Sequence, residues 1–556
     1  MMIFYRLGGL PLMQPDEGRN AEVAREMHLS GAWLVPTYDG LAYLDKPAFY
    51  FRAVALSFDL FGQSQATARL PSALAALALL GVLFLFLRRA YDTRTAALAV
   101  AVVATTPLFF AFARLVIFDM PLALFVSLAI FAGYRAEEPG REPRRWYLLS
   151  WAASGVATLI KGPIGLLLPL LVLGVLNVVE KRKQAWGRLF RPLNFAVFAA
   201  LVLPWFVGVT LQHPDFPYYG LVKESLDRLA TRDFGRTRPF YFYLPVILGA
   251  FFPWSLLIPE GVVLAWRERR RWLRPDRLFA VWAAVVVIFF SLPRSKLPGY
   301  ILTAVVALGV LAARGFARAF ADGQGRAARL ILRATLALGV IALMGGALVA
   351  WDIAHRAFLA RLGAHGHYVA ALRPALPLLA ACLLATALVA VAAAWRRRVG
   401  LALLAFLLFP AAVTTVGFPL FQDYAESHST RALAARMANL PPEVRIVCFE
   451  CFPDGVPFYI HRRITVVTRD GSELTSNYIR FALARSAHWP AVLVPLDGFA
   501  HWLATRRHPI YLLAKGNQKR TLRRVAAEYG GAVERLPLGY GAVLLSRPTK
   551  AQATRD

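Results

Sequence analysis

The run Phe195-Ala-Val-Phe-Ala-Ala-Leu-Val-Leu-Pro-Trp-Phe-Val-Gly-Val-Thr-Leu211 contains no charged residue and no polar face. A helix packed on a soluble core keeps one wet side, whereas this run, like Leu401 to Phe421, is apolar all round and needs hydrocarbon as its solvent. About 18 such residues cross the roughly 30 Å core of a bilayer. Comparable runs recur near 70–87, 95–113, 119–134, 146–160, 163–179, 193–211, 241–265, 278–292, 299–313, 330–351, 374–395 and 399–421, twelve in all. With 58% of its 556 residues hydrophobic, the chain reads as an all-α polytopic membrane protein.

Basic residues orient these spans. The groups Arg88/Arg89/Arg94, Arg135 to Arg145, Lys181 to Arg191, Arg267 to Arg277, Arg314 to Arg333 and Arg396 to Arg398 fall in every second loop, which makes those loops cytoplasmic. Much of the +30 net charge is therefore topological and drawn to anionic lipid headgroups, and it needs no nucleic acid to explain it. The remaining loops lie outside: 16–46, 114–118, 161–162, 212–240, 293–298, 352–373 and everything after 422. Met1 to Met13 is too short to cross and lacks the pattern of a signal peptide. Because Asp16 must be outside, a further span is expected ahead of it, giving twelve to thirteen. The tail changes character: Arg445-Ile-Val-Cys-Phe, Ile464-Thr-Val-Val-Thr, Ala491-Val-Leu-Val-Pro and Gly541-Ala-Val-Leu-Leu read as short strands separated by helical segments. The expected division is a transmembrane domain over 1–421, whose outer loop 14–47 carries an amphipathic helix, and a small extracytoplasmic α/β domain over 422–556.

Ionisable residues gather at the outer ends of the spans. Asp16-Glu17 opens the first outer loop and Tyr43-Leu-Asp45-Lys46-Pro47 closes it; Arg114 to Asp119, Lys161-Gly162-Pro163 and Pro293-Arg-Ser-Lys-Leu-Pro-Gly-Tyr300 mark three further turns. Charges at membrane depth are costly, so five such turns on one face outline a polar cavity. Each has a plain structural reading as well: Asp16 and Asp119 fit helix N-caps, and Lys161 fits a side chain reaching for the interface. Lysine and arginine bind phosphate by charge-assisted hydrogen bonds, and a carboxylate beside them orients or deprotonates an attacking hydroxyl. Together they suit glycosyl or phosphoryl transfer from a lipid phosphate. Cysteine usage adds little. Cys448-Phe-Glu-Cys451 lies where a disulfide is chemically permitted, but residues three apart in an extended strand face opposite sides, so a bridge needs a turn and two structural thiols are the favoured reading.

Taken in order, Pro15-Asp-Glu-Gly-Arg-Asn-Ala-Glu-Val-Ala-Arg-Glu-Met27, Ser30-Gly-Ala-Trp-Leu-Val-Pro36, Tyr43-Leu-Asp-Lys-Pro47 and Ala68-Arg-Leu-Pro71 resemble the polyprenyl-phosphate-sugar glycosyltransferases of the GT-C fold. That family includes the protein mannosyltransferases and the lipid A aminoarabinose transferases. Arg114-Leu-Val-Ile-Phe-Asp-Met-Pro121, Lys161-Gly-Pro163, His213-Pro-Asp215 and Arg294 to Tyr300 look most like the aminoarabinose branch. The resemblance implies that Asp16 is the catalytic carboxylate of the first loop, with Glu17 and Arg19 beside it, and that Asp119 is a second acidic residue of the cavity. It implies that Lys46 faces the donor phosphate, that Lys161, Arg294 and Lys296 add positive charge, and that Tyr43, Asp45, Arg114, His213 and Tyr300 support the site. Asp45-Lys-Pro-Ala48 stands where relatives carry Glu-Lys-Pro-Pro.

The expected activity is inverting transfer of a sugar from an undecaprenyl-type polyprenyl phosphate to a lipid or glycolipid acceptor of the lipid A type, at the outer face of a bacterial inner membrane. Loops 16–46 and 212–240 would form the lid. A monomer without cofactor or catalytic metal is expected, a cation shared by Asp45 and His213 being the exception to consider. Transfer to a protein hydroxyl and a lipid-sugar transporter are the rivals. Transporters usually carry mid-span charges and repeated halves, whereas here the charges sit at outer ends and no repeat is visible.

Overall fold

The computed structural model describes residues 3–220, 223, 237–267, 272–323, 325–355 and 373–546, so parts of the outer loops 212–240 and 352–373 lie outside the described residues. All twelve apolar runs are largely helical. Among the described residues, six helices are each long and apolar enough to cross a membrane: Gln65–Ala90, Asp119–Ala136, Lys183–Gln212, Pro298–Ala321, Arg326–His355 and Arg373–Trp395. Two more spans arise if bent pairs count as one each, Phe240–Ala250 with Trp254–Leu264 (112°) and Val399–Thr414 with Phe418–Ser427 (42°). Other runs form shorter apolar helices, Thr93–Ala104 and Ile164–Val179 among them.

Contacts group the chain into two compact units. One comprises Met1–Tyr5, Ser72–Pro204 and Asp227–Tyr424; the other Arg6–Pro71, Trp205–Leu226 and Ala425–Asp556. The first is helical. Its interior holds a ring cluster in which Phe86 stacks on Phe131 with centroids 4.1 Å apart, edged by Phe279 and Trp282. Its outer faces stay greasy, with Met344 and Leu388 68% and 72% exposed, as expected of surface meant for lipid. Five arginines in the loops read as cytoplasmic are paired within the unit: Glu137 meets Arg182 and Arg188, Glu180 meets Arg182 and Arg274, and Asp276 meets Arg314 and Arg318. Those guanidiniums tie loops together before any headgroup arrives.

The second unit is built on a six-stranded sheet. After a two-stranded hairpin, β1 (Thr37–Tyr38) and β2 (Leu41–Ala42), its strands are β3 (Arg445–Phe449), β4 (Thr465–Thr468), β5 (Leu493–Pro495), β6 (Ile510–Lys515), β7 (Val533–Arg535) and β8 (Tyr540–Leu545), in the order β5-β4-β3-β6-β8-β7. The first four run parallel, while β8 pairs antiparallel with both β6 and β7. Val447, Val467, Leu512 and Val543 fill the core. The parallel strands are buried throughout most of their length, as two-sided burial of a parallel sheet demands.

The first outer loop belongs to this same unit. Its helix α1 (Asp16–Ser30) is buried almost all round from Glu17 to Met27 rather than on one stripe, because its charged residues are paired. Glu22 takes two bonds from Arg25, both 2.7 Å, and Glu26 accepts from Thr37 Oγ1 at 2.5 Å. At its start Arg69, from the first turns of α2 (Gln65–Ala90), spends all five of its N–H donors: two on the Glu17 carboxylate, both at 2.9 Å, and three on the carbonyls of Leu7, Leu10 and Pro11. Both side chains are at most 4% exposed. Against the tail, Gly18 leaves no room for a side chain, since a Cβ there would lie 2.7 Å from Gly455 Cα.

Arg69→Met should therefore cost about 3–5 kcal/mol, because it leaves a buried carboxylate without its cation. Denaturant unfolding of the detergent-solubilised protein measures this, and a loss under about 0.5 kcal/mol, the usual range of surface changes, would contradict it.

Candidate active site

Helix α1 begins directly after Pro15, with Asp16 and Glu17 in its first turn, where the aligned backbone dipoles favour negative charge. Glu17 is committed to Arg69 and to the Met13 N–H at 3.1 Å. Asp16 is not: its carboxylate is 46% exposed, and its partner is Arg19 Nη2, one turn along, at 2.5 Å. No helix N–H donates to Asp16 among the described residues, so capping does not account for it.

Arg19 is the hub. Its other amino group donates to Thr475 Oγ1 at 2.8 Å and the Thr475 carbonyl at 3.3 Å, while its guanidinium lies 5.9 Å over the Tyr43 ring. Asp454 completes the group, accepting from Tyr38 Oη at 2.8 Å and Thr475 Oγ1 at 3.0 Å. Burial works against the Arg19 charge, but Tyr43, Asp16, Asp454 and Tyr38 outweigh it, and the guanidinium stays firmly protonated. Burial pushes the Asp454 carboxyl up to about 6, with Arg19 and two hydroxyl donors acting against the rise. Tyr38, Asp454 and Thr475 were not legible as site residues, since 416 positions separate the first two.

The Asp45-Lys46 turn is clamped from the same tail. Asp45 accepts from Tyr219 Oη at 2.5 Å and from the backbone N–H groups of Tyr478 and Asn477 at 2.8 and 3.1 Å. Tyr478 Oη in turn meets Asp215 at 3.0 Å and His213 Nδ1 at 3.2 Å. Lys46 Nζ donates to the Asp45 carbonyl at 2.7 Å. Asp45 and His213 are thus both joined to Tyr478, and the Asp45 oxygens are filled by three donors. Among the described residues no three His, Cys, Asp or Glu side chains gather as a metal set.

The helical unit holds the other candidates. Asp119, at the first position of its helix, takes Lys161 Nζ at 2.7 Å, and that ammonium lies 5.2 Å over the Tyr300 ring. A Cβ on Gly299 would sit 3.3 Å from Asp119 Oδ1, so the Pro298-Gly299 turn fits tightly over this pair. Lys296 is buried and donates to the carbonyls of Pro293 and Arg238, which fixes the turn. Arg294 beside it is exposed, with no side-chain hydrogen bond or ion pair among the described residues. Arg114 donates to the Ile3 carbonyl at 2.8 Å and packs on Phe110. Of the thirteen candidates, Asp16, Glu17, Arg19, Tyr43, Asp45, Lys46 and His213 fall in the sheet-bearing unit, and Arg114, Asp119, Lys161, Arg294, Lys296 and Tyr300 in the helical one.

The raised Asp454 carboxyl carries a sign. A carboxyl whose folded value exceeds the ordinary 3.8 binds its proton more tightly when folded, so its contribution is complete below about pH 4 and lost as pH rises through about 6. Asp454→Asn should flatten the stability-against-pH curve of the protein over that window, as read by thermal unfolding at a series of pH values; an unchanged slope would rule out the titration.

Comparison with known proteins gives this geometry a context. The family model described as dolichyl-phosphate-mannose-protein mannosyltransferase matches residues 45–208. The undecaprenyl phosphate-alpha-4-amino-4-deoxy-L-arabinose arabinosyl transferase of Aeromonas salmonicida is 31% identical over 335 residues, 59% of this chain and 61% of that one. Its namesake from Pseudomonas aeruginosa is 33% identical over 304 residues, 53% and 54% of the two chains. The match thus spans between half and two thirds of those relatives' lengths. The crystal structure of ArnT from Cupriavidus metallidurans bound to undecaprenyl phosphate superposes with a TM-score of 0.82 at 26% identity, covering 99% of this chain and 97% of that one. Over almost its whole length the chain is ArnT-like, with the fold of the GT-C polyprenyl-phosphate-sugar glycosyltransferases.

Proposed function

We propose that this protein is an inverting glycosyltransferase that moves a sugar, an aminopentose as in its named relatives, from a polyprenyl phosphate to a lipid or glycolipid acceptor of the lipid A type. Its site and the tail from 422 onward face the outside of the inner membrane. The observation that carries the reading is the exposed Asp16 carboxylate held by the Arg19 hub, in a fold shared with an undecaprenyl-phosphate-bound transferase.

The chemistry divides between the candidate residues. Donor phosphate binds Lys46, whose ammonium offsets the charge that builds on the departing phosphate as the glycosidic bond breaks. Asp16 orients or deprotonates the acceptor, which attacks the anomeric carbon from the face opposite the phosphate and so inverts it. Asp119 holds Lys161 at 2.7 Å and so places that ammonium. Holding both lipid-borne reactants in one site replaces a chance encounter in the membrane plane with an aligned pair.

Asp16→Asn keeps size and hydrogen bonding while removing the base, and should lower transfer by about 100-fold or more. Lys46→Ala should weaken use of the donor by about 10–100-fold, in keeping with the loss of one charge-assisted contact. Mass spectrometry of the lipid A fraction from cells with each variant, with the wild type and without the gene reads both. An unmodified lipid A fraction in wild-type cells, or full modification with Asp16→Asn, would overturn the reading.

A further inference from the structure

Strand β3 ends in a feature that its sequence does not announce. Directly after Phe449 the chain turns through the left-handed region at Glu450 (φ +45°), and Glu450 N–H still bonds the Val467 carbonyl at 2.9 Å. An extended strand would send residues 448 and 451 to opposite faces, and this turn reverses the second of them. Cys448 pairs in register with Leu513 of β6, and Cys451 Sγ lies 3.9 Å from the Leu513 carbonyl oxygen, so one residue of the neighbouring strand is the address of both thiols. Burial, then the nearby Cys451 thiol, pushes the Cys448 thiol up. Cys448 is fully buried and Cys451 6% exposed, while the third cysteine, Cys382, lies in the helix Leu376–Trp395.

We propose that Cys448 and Cys451 are a disulfide site, oxidised as the tail folds outside the membrane. This rests on the outward placement of the tail given above. The oxidant is a protein that carries an exchangeable disulfide. The thiolate of one cysteine attacks that disulfide to give a mixed disulfide, the other cysteine displaces it, and the oxidant leaves as a dithiol holding the two electrons and two protons. Once β3 is covered, a buried thiol of raised pKa is a poor nucleophile, so the exchange belongs to the folding chain. A bond across three residues closes too short a loop to restrain the unfolded chain much. Its effect is local: it fixes the turn from Glu450 to Asp454, and with it the carboxyl that Tyr38 and Thr475 hold beside Arg19.

The test traps thiols in whole cells with acid, denatures the full-length protein and alkylates it with N-ethylmaleimide before tryptic mass spectrometry. The proposal expects alkylation of Cys382 alone, and a peptide Ile446–Arg462 two hydrogens lighter than its reduced form. Cys448→Ser should release Cys451 to the reagent. An alkaline phosphatase fused behind Asp556 reports separately on which side the tail lies. Active phosphatase with alkylated Cys448 and Cys451, or a Cys451 still blocked in Cys448→Ser, overturns the disulfide. Inactive phosphatase overturns the outward placement instead.

Discussion

The arrangement around Asp16 depends on a buried ion pair. Taking Glu17 and Arg69 out of water is expensive, and their attraction repays the cost only when every remaining donor is also met. Here it is: the five N–H groups of Arg69 meet five acceptors, two on the carboxylate and three on the backbone of residues 7, 10 and 11. Lysine has three donors on one nitrogen and no fork, so it cannot make this set. The pair fixes the segment leading into α1, and the first turn of that helix decides where Asp16 points. A sealed ion pair thus sets the position of an exposed carboxylate.

Beyond that anchor, charge is arranged in a gradient of exposure. Glu17 is sealed, Arg19 is mostly covered, and Asp16 is open. Arg19 binds inward to Thr475 and outward to Asp16, so the tail's loop and the helix's first turn are set by one planar group. The Asp119–Lys161 pair in the helical unit follows the same economy, a covered carboxylate holding a cation beside an aromatic ring. In both places a side chain of one sign is aimed by a partner of the other.

The sequence was most legible where one physical effect dominates. Hydropathy marked all twelve helical runs because lipid solvation tolerates no polar face. Arg445-Ile-Val-Cys-Phe coincides with β3 because a central parallel strand is apolar on both sides. β7, Val533-Glu-Arg535, escaped because it is exposed at all three positions and has no burial pattern to display; β6, Ile510–Lys515, escaped as well, although five of its six residues are buried. The pairing of Asp119 with Lys161 escaped because the two are 42 positions apart. Ala68-Arg-Leu-Pro71 stood out as a motif, yet nothing local tells that its arginine seeks residues 7–17. Nor does Pro293-Arg-Ser-Lys tell which cation turns toward carbonyls and which toward solvent; tertiary folding makes that choice.

The close approach of Gly18 to Gly455 has an evolutionary corollary. Backbone touches backbone there, and a Cβ on Gly455 would meet Thr430 Oγ1 at 2.7 Å as well as Gly18, so neither position can drift alone to a larger residue. Amino- and carboxy-terminal gene segments exchanged between distant homologues would remain compatible only where both carry glycine. Recombination between lineages is thereby channelled, and the tail stays tethered at this point to the helix that begins with Asp16.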